Sequence, residues 1–282
     1  MACGAVITDR KIVNRLNYMK KLLIINFAVL ISLFFSLSAL AQSNAKIEQE
    51  LVAAINDVKK YSNYGENFDD EKLSKANEVF EAKLLKYTKT PATLSYKFSE
   101  LDKLMFNATS DDGKFRIYSW DTEDGGTMHN FSRVYQYQGA DGNVYSKTDE
   151  VNEESGVGSF VTDIFTVDSK TGKIYVVCST FIASTKDISQ SANLYKITGN
   201  KLVDEVKLIK TKSGLTDSLS FSYDFFSVVD REERPVRLIL YDKNTKRLKI
   251  PIVINDKEFP TGRVTNKFIT YGFNGTYFVK VN

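Results

Sequence analysis

The sequence predicts a mainly β protein, built of repeated antiparallel β-hairpins that follow an N-terminal helical hairpin. Three observations carry this reading. Apolar residues recur at helical spacing only as far as Thr90; from Lys103 onward they alternate at period two; and turn-forming residues interrupt that alternation again and again. Such a series can stack as propeller-like blades, which we expect, or alternatively close into a barrel or a sandwich.

The chain opens with a leader. Met19-Lys20-Lys21 begins a short basic region, Leu22 to Leu37 is almost continuously apolar, and Ala39-Leu40-Ala41 supplies a small-x-small cleavage site before Gln42. Together they read as a secretory signal peptide over residues 19–41, with residues 1–18 as an upstream extension. The apolar run is short for a membrane span of ~20 residues, so no stable span is expected once the leader is cleaved. The whole chain carries a formal charge of +3. Removing residues 1–41 takes away five bases (Arg10, Lys11, Arg15, Lys20, Lys21) and one acid (Asp9), leaving 33 bases against 34 acids. A near-neutral exported chain gives no electrostatic reason to bind nucleic acid. Cleavage also removes Cys3, leaving Cys178 alone in the β-rich run IYVVCSTF, where a small buried hydrophobe is expected. The expected location is periplasmic or secreted.

Residues 42–101 form the helical hairpin region. Ile47, Leu51, Val52, Ile55 and Val58 place an apolar stripe on a helix from about Ala45 to Tyr61. After the turn at Asn63 to Asn67, Asp69 is suited to cap a second helix, with Phe68 and Leu73 at the staple positions and Asp70 and Glu71 at the positive end of its dipole. Leu73, Ala76, Val79, Phe80, Leu84 and Tyr87 continue the stripe until Thr90-Pro91 ends it. From Ala92 to Glu100 the pattern is ambiguous: Leu94, Phe98 and Leu101 fit a helical face, to which the reading leans, while the run Thr93 to Phe98 tolerates a strand. An uncovered strand edge invites aggregation, so the helix pair is expected to pack on one edge of the β domain.

Residues 102–282 form the β-hairpin repeat domain. Leu104, Phe106 and Ala108 alternate before Asp112-Gly113, and Phe115, Ile117 and Ser119 after it. Similar turns centre at about residues 142, 172, 200, 244 and 275. Each offers residues able to take positive φ where two strands reverse. The widest gap is expected to hide a further hairpin, running from FSYDFFSVV across Asp230 to Arg234 into Pro235. Some twelve to fourteen strands result, as a diverged repeat.

The rare residues gather between Ser110 and His129, a stretch that holds the chain's one tryptophan and one histidine. Arg116, Tyr118 and Trp120 project from one side of a strand, and we take them as candidate ligand-binding residues. Phe115, Ile117, Ser119 and Asp121 project from the other side. Asp121 and Asp124 precede Gly125-Gly126, and His129 is expected to open the next strand. A carboxylate beside an imidazole can orient it for general-base work, so His129, Asp121 and Asp124 are the candidate catalytic residues. The aspartate spacing matches no calcium loop, and one histidine without cysteine neighbours falls short of a zinc set, so no metal and no cofactor are expected. No G-x-S-x-G elbow or phosphate-binding loop occurs. Aromatics are plentiful in the strand regions, with Tyr135, Tyr137, Tyr223, Phe225, Phe226, Tyr271, Phe273 and Tyr277; most are expected in the core, and a rim subset could form a stacking platform for sugar or peptide.

The segment DDGKFRIYSWDTEDGGTMHNF, residues 111–131, resembles a group of exported Gram-negative bacterial proteins that share an IYSWD–GGTMH signature. The resemblance implies export and brings no established activity, so no catalytic residue is carried over. Taken together, the residues favour a non-enzymatic envelope or secreted binding module whose partner is an envelope protein, a glycan or a peptide. The alternative is a secreted hydrolase using His129 with Asp121 or Asp124.

Overall fold

The computed structural model describes residues 43–149 and 158–281. The segment expected to be an upstream extension and signal peptide, residues 1–41, lies outside the described residues. Every strand among the described residues belongs to the unit Glu48–Asn282.

Helix α1 occupies residues 43–60, and α2 occupies Asp70–Tyr87. Asp69 caps α2 as its sequence position implies, its side chain accepting from the Lys72 amide. The staple is one-sided, for Leu73 is buried while Phe68 stays exposed. Pro91 opens a short third helix, α3, Pro91–Ser95, and a single 3-10 turn follows at Leu101–Lys103. The helical leaning over Ala92 to Glu100 therefore holds only for its first part. Buried Glu48 organises the remainder, accepting from the amides of Glu100 and Leu101 and from the Tyr96 hydroxyl. Leu104, expected in a strand, follows this 3-10 turn.

Among the described residues, fifteen strands make three separate antiparallel-rich sheets. The first is a meander of β1 (Phe106–Thr109), β2 (Phe115–Asp121), β3 (Phe131–Gln138) and β4 (Val144–Thr148). The second contains β5 (Phe160–Ser169), β6 (Gly172–Ile182), β7 (Asp187–Thr198) and β11 (Ser218–Asp224), with β8 (Lys201–Val203) on β7. The third runs β10 (Gly214–Thr216), β9 (Ile209–Thr211), β15 (Phe278–Val281), β14 (Arg263–Phe273), β13 (Arg247–Ile254) and β12 (Leu240–Asp242). Within it β15 and β9 pair in parallel.

All six turns read from the sequence connect antiparallel partners. At Gly113 (φ 68°) and Gly142 (φ 82°) the reversal needs left-handed backbone that a β-carbon would strain. The expected hairpin across Asp230 to Arg234 does not form. Phe225–Val228 is instead a 3-10 turn, because Asp224 accepts from the Phe226 amide and stops the strand. The extra hairpin of that long gap lies earlier, in β9 and β10. There the chain leaves the second sheet after β8, at Glu205 with φ 52°, and returns to it as β11 on β7.

The sheets stack face to face with β6 in the middle. Its alternate residues Tyr175 and Val177 pack with Phe115, Ile117, Tyr135 and Tyr137 of the first sheet. Ile174, Val176 and Cys178 point the other way, onto Leu248, Ile250, Tyr271, Phe273 and Phe278 of the third. A strand buried on both faces explains the unbroken apolar run IYVVC. Burial also lifts the Cys178 thiol well above its ordinary pKa, with Asp163 adding to the effect. Cys178 should therefore resist alkylation in the native protein at neutral pH and react once the chain is unfolded, as peptide mapping would show. Rapid native labelling would contradict this burial.

The helices cover the outer face of the first sheet rather than an edge. The reason is visible in β2, whose even-numbered residues Tyr118 and Trp120 are large, apolar in bulk and fully buried. Trp120 meets the Phe80 ring edge-on at 5.0 Å, and Tyr118 meets Phe98 at 6.1 Å.

Candidate functional site

The site begins where β2 ends. Asp121 is the last residue of that strand, on the face turned away from the helices, and the loop 122–130 returns to β3. The loop is closed by the Thr122 amide donating to the Asn130 carbonyl, and it is tied to the second sheet by the His129 amide donating to the Ile182 carbonyl. His129 thus sits in the loop, two residues before β3, and does not open the strand. Backbone hydrogen bonding to β6 explains this, since it draws the chain away from the β2–β3 ladder.

Asp121 and His129 come together. Oδ2 of Asp121 lies 2.5 Å from Nδ1 of His129, while Oδ1 accepts from the Glu123 amide at 2.8 Å. The carboxylate is thereby anchored, and a neutral imidazole beside it carries its proton on Nδ1, leaving Nε2 as an acceptor. Asp124 is not part of this pair. Its Oδ1 accepts from the Thr122 hydroxyl and the Asn130 amide group, which staples the loop.

The turn between α1 and α2 completes the wall. Ser62 donates to the Glu123 carboxylate, the Asn63 amide to the Glu123 carbonyl, and the Asn63 side chain to the Gly125 carbonyl. These contacts hold Glu123 at φ 61°, a left-handed backbone rare outside glycine. The approach is close enough that a β-carbon on Gly125 would lie 2.2 Å from the Met128 carbonyl oxygen. The Tyr64 ring lies 5.1 Å from the imidazole, and its hydroxyl is 3.3 Å from Nδ1. Burial, helped by Asp121, Glu123 and Asp124, pushes the Tyr64 phenol up to about 12, so it stays protonated at neutral pH.

Beside this assembly opens a cavity of about 620 Å³, walled by Tyr64, His129, Ile182, Ser184, Ile188 and Phe225 among others. Its volume lies in the range of small-molecule sites. Four segments far apart in sequence contribute to it: the α1–α2 turn, the β2–β3 loop, the β6–β7 turn and the 3-10 turn after β11. Exposed apolar groups belong to the same loops, with Tyr64 46%, Met128 41% and Phe226 51% exposed.

No family model, no curated protein and no solved structure matches the chain. The site has to be read from its own chemistry.

The three residues taken as ligand-binding candidates lie instead between the first sheet and the helices. Trp120 donates its indole N–H to Asn77 Oδ1, and Asn77 in turn donates to the Leu73 and Thr122 carbonyls. Arg116 is buried and donates to Thr109 Oγ1 and to the carbonyls of Thr93 and Tyr96. Tyr118 donates to Gln136, whose amide reaches Thr93 Oγ1. Their polar groups are spent inside the protein, and they support the site by fixing β2. Trp120 alone borders a second cleft of about 360 Å³, which also includes Asn77 and Asp124. Among the described residues, no group of three or more His, Cys, Asp or Glu side chains is placed to hold a metal ion.

Tyr64 and Ile182 went unnoticed in the sequence. The one available hint was an aromatic residue in the turn SNYGEN, where polar residues predominate. Phe225 is one of many aromatics of the strand regions, and nothing in the sequence signals that it meets His129's cavity.

Proposed function

We propose that the protein is an exported, non-enzymatic binding module of the envelope or exterior, and that the cavity beside His129 is its binding site. One observation carries this reading: four distant loops converge on an apolar-walled cavity in which an imidazole is held in a single orientation by Asp121. Export rests on the leader over residues 19–41. We read the three stacked sheets as propeller-like blades in an open series, with loops at one end forming the site.

The single histidine makes a direct test. Nitrogen-15 imidazole spectra of the protein report one site without assignment, so a mixed fragment library can be screened on His129 alone. Several fragments should shift its resonances and lose affinity in Ile188→Ser, which roughens the apolar wall. Fragments that never touch His129, or that scatter over other surfaces, would remove the basis of the proposal.

The Asp121–His129 pair supports a second reading, a hydrolase in which Nε2 takes a proton from water. For this reading, His129→Ala should abolish ester turnover at unchanged melting temperature. Turnover that survives the substitution excludes it.

A further inference from the structure

The cavity differs in chemistry from the loop that walls it. None of the residues lining it is a lysine, arginine, aspartate or glutamate; His129 is the one imidazole. Ile182 and Ile188 line it with aliphatic surface, and Tyr64 and Phe225 bring aromatic rings to the same lining. Behind Tyr64 the loop carries three carboxylates, Asp121, Glu123 and Asp124, fixed by hydrogen bonds to the Ser62, Thr122, Glu123 and Asn130 donors and to the imidazole. They are close enough to the wall to act on the Tyr64 phenol.

The carboxylates weigh against anions on the Tyr64 side, while Phe225 already carries the Arg234 guanidinium 5.6 Å from its ring centroid. The cavity's other polar side chains are Asn63, Thr127, Ser184 and Thr185, of which Asn63 donates to the Gly125 carbonyl and Ser184 to the Asp187 carboxylate. The Tyr64 side has what a weakly hydrated cation requires: an aromatic ring whose quadrupole attracts positive charge, apolar surface in the same cavity for the body that carries it, and negative charge close by. From this juxtaposition, and resting on the binding reading above, we infer that the ligand is a small organic ammonium compound with an apolar body, seated against Tyr64.

The test uses three matched probes on the purified protein: choline, its neutral carbon analogue 3,3-dimethylbutan-1-ol, and anionic 3,3-dimethylbutanoate. Binding is followed by the His129 imidazole resonances. Choline should bind about ten-fold tighter than the alcohol, and the anion should bind weakest. Glu123→Gln with Asp124→Asn should bring choline down to the affinity of the alcohol while leaving the alcohol unchanged. Tyr64 is half exposed, so Tyr64→Leu should fold normally and weaken choline more than the alcohol; it decides the matter should the double substitution fail to fold. Equal affinities, or preference for the alcohol or the anion, would overturn the cation assignment and leave the cavity as a binding site. Silence from all three probes would also overturn it, and the fragment screen then shows separately whether the binding reading survives.

Discussion

Replacing Trp120 with alanine should cost about 3–5 kcal/mol of folding stability, the range for removing a large buried aromatic. The side chain is 1% exposed, packs edge-on against Phe80 of α2, and holds the Asn77 side chain that bridges α2 to the loop after β2. Removing it leaves a cavity between the helices and the first sheet and strands a hydrogen-bond acceptor. Trp120→Phe separates the two effects: it retains most of the packing and should cost about 1–3 kcal/mol, chiefly through unpaired Asn77. Denaturant unfolding followed by circular dichroism measures both, since the variants lack the fluorophore. A loss below about 1 kcal/mol for the alanine variant would show that the helices are not packed on β2 as described. His129 should also respond, because Asp121 follows Trp120 directly.

A second large effect is expected in alkali. Tyr118 and Tyr223 are fully buried, and burial pushes both phenols up to about 12 from an ordinary 10.0. In the unfolded chain each ionises near the ordinary value, while the folded protein keeps the proton until the higher one. Their contribution is fully present below pH 10 and is lost as pH rises towards 12. The difference is worth roughly 3 kcal/mol for each group, and the pair is comparable with a typical domain stability of ~5–15 kcal/mol. The protein should therefore unfold cooperatively between pH 10 and 12, with tyrosinate absorbance and near-ultraviolet circular dichroism changing together. Tyrosine titration completed near the ordinary value, with the near-ultraviolet signal intact, would refute it. Tyr118→Phe removes one of the two groups and should move the transition to higher pH, though it leaves Gln136 without its donor.

The β-hairpins were legible because a hairpin is local. Its turn residues and alternating faces lie within one short stretch, and positive φ at Gly113 or Gly142 is a property of the residue that supplies it. Helix α2 was legible for the same reason, through Asp69 and the Pro91 stop. The failure at Asp230 to Arg234 came from a rival local bond, Asp224 to the Phe226 amide, that ends β11 in a 3-10 turn where apolar pattern alone suggested a continuing strand.

The candidate site was half legible. Asp121 and His129 stand eight residues apart across one loop, and their pairing could be anticipated from that distance. Alternation along β2 also separated Arg116, Tyr118 and Trp120 from Asp121, but it is silent on what each side meets. Trp120 proved to face the helices, and Asp121 the face away from them. The cavity needed more, since Tyr64, His129, Ile182 and Phe225 belong to four segments whose meeting depends on how three sheets stack and which loops that stacking brings together.

Local chemistry in the chain thus dictates a mainly β protein with a helical start, its turns, and the Asp121–His129 pairing. The stacking order of the sheets, the burial of β6 on both sides and the cavity beside His129 were decided only in the tertiary structure. Side-chain alternation shows that two faces exist, whereas the choice of partner for each face is made by the contacts that bury the most apolar surface across long stretches of chain.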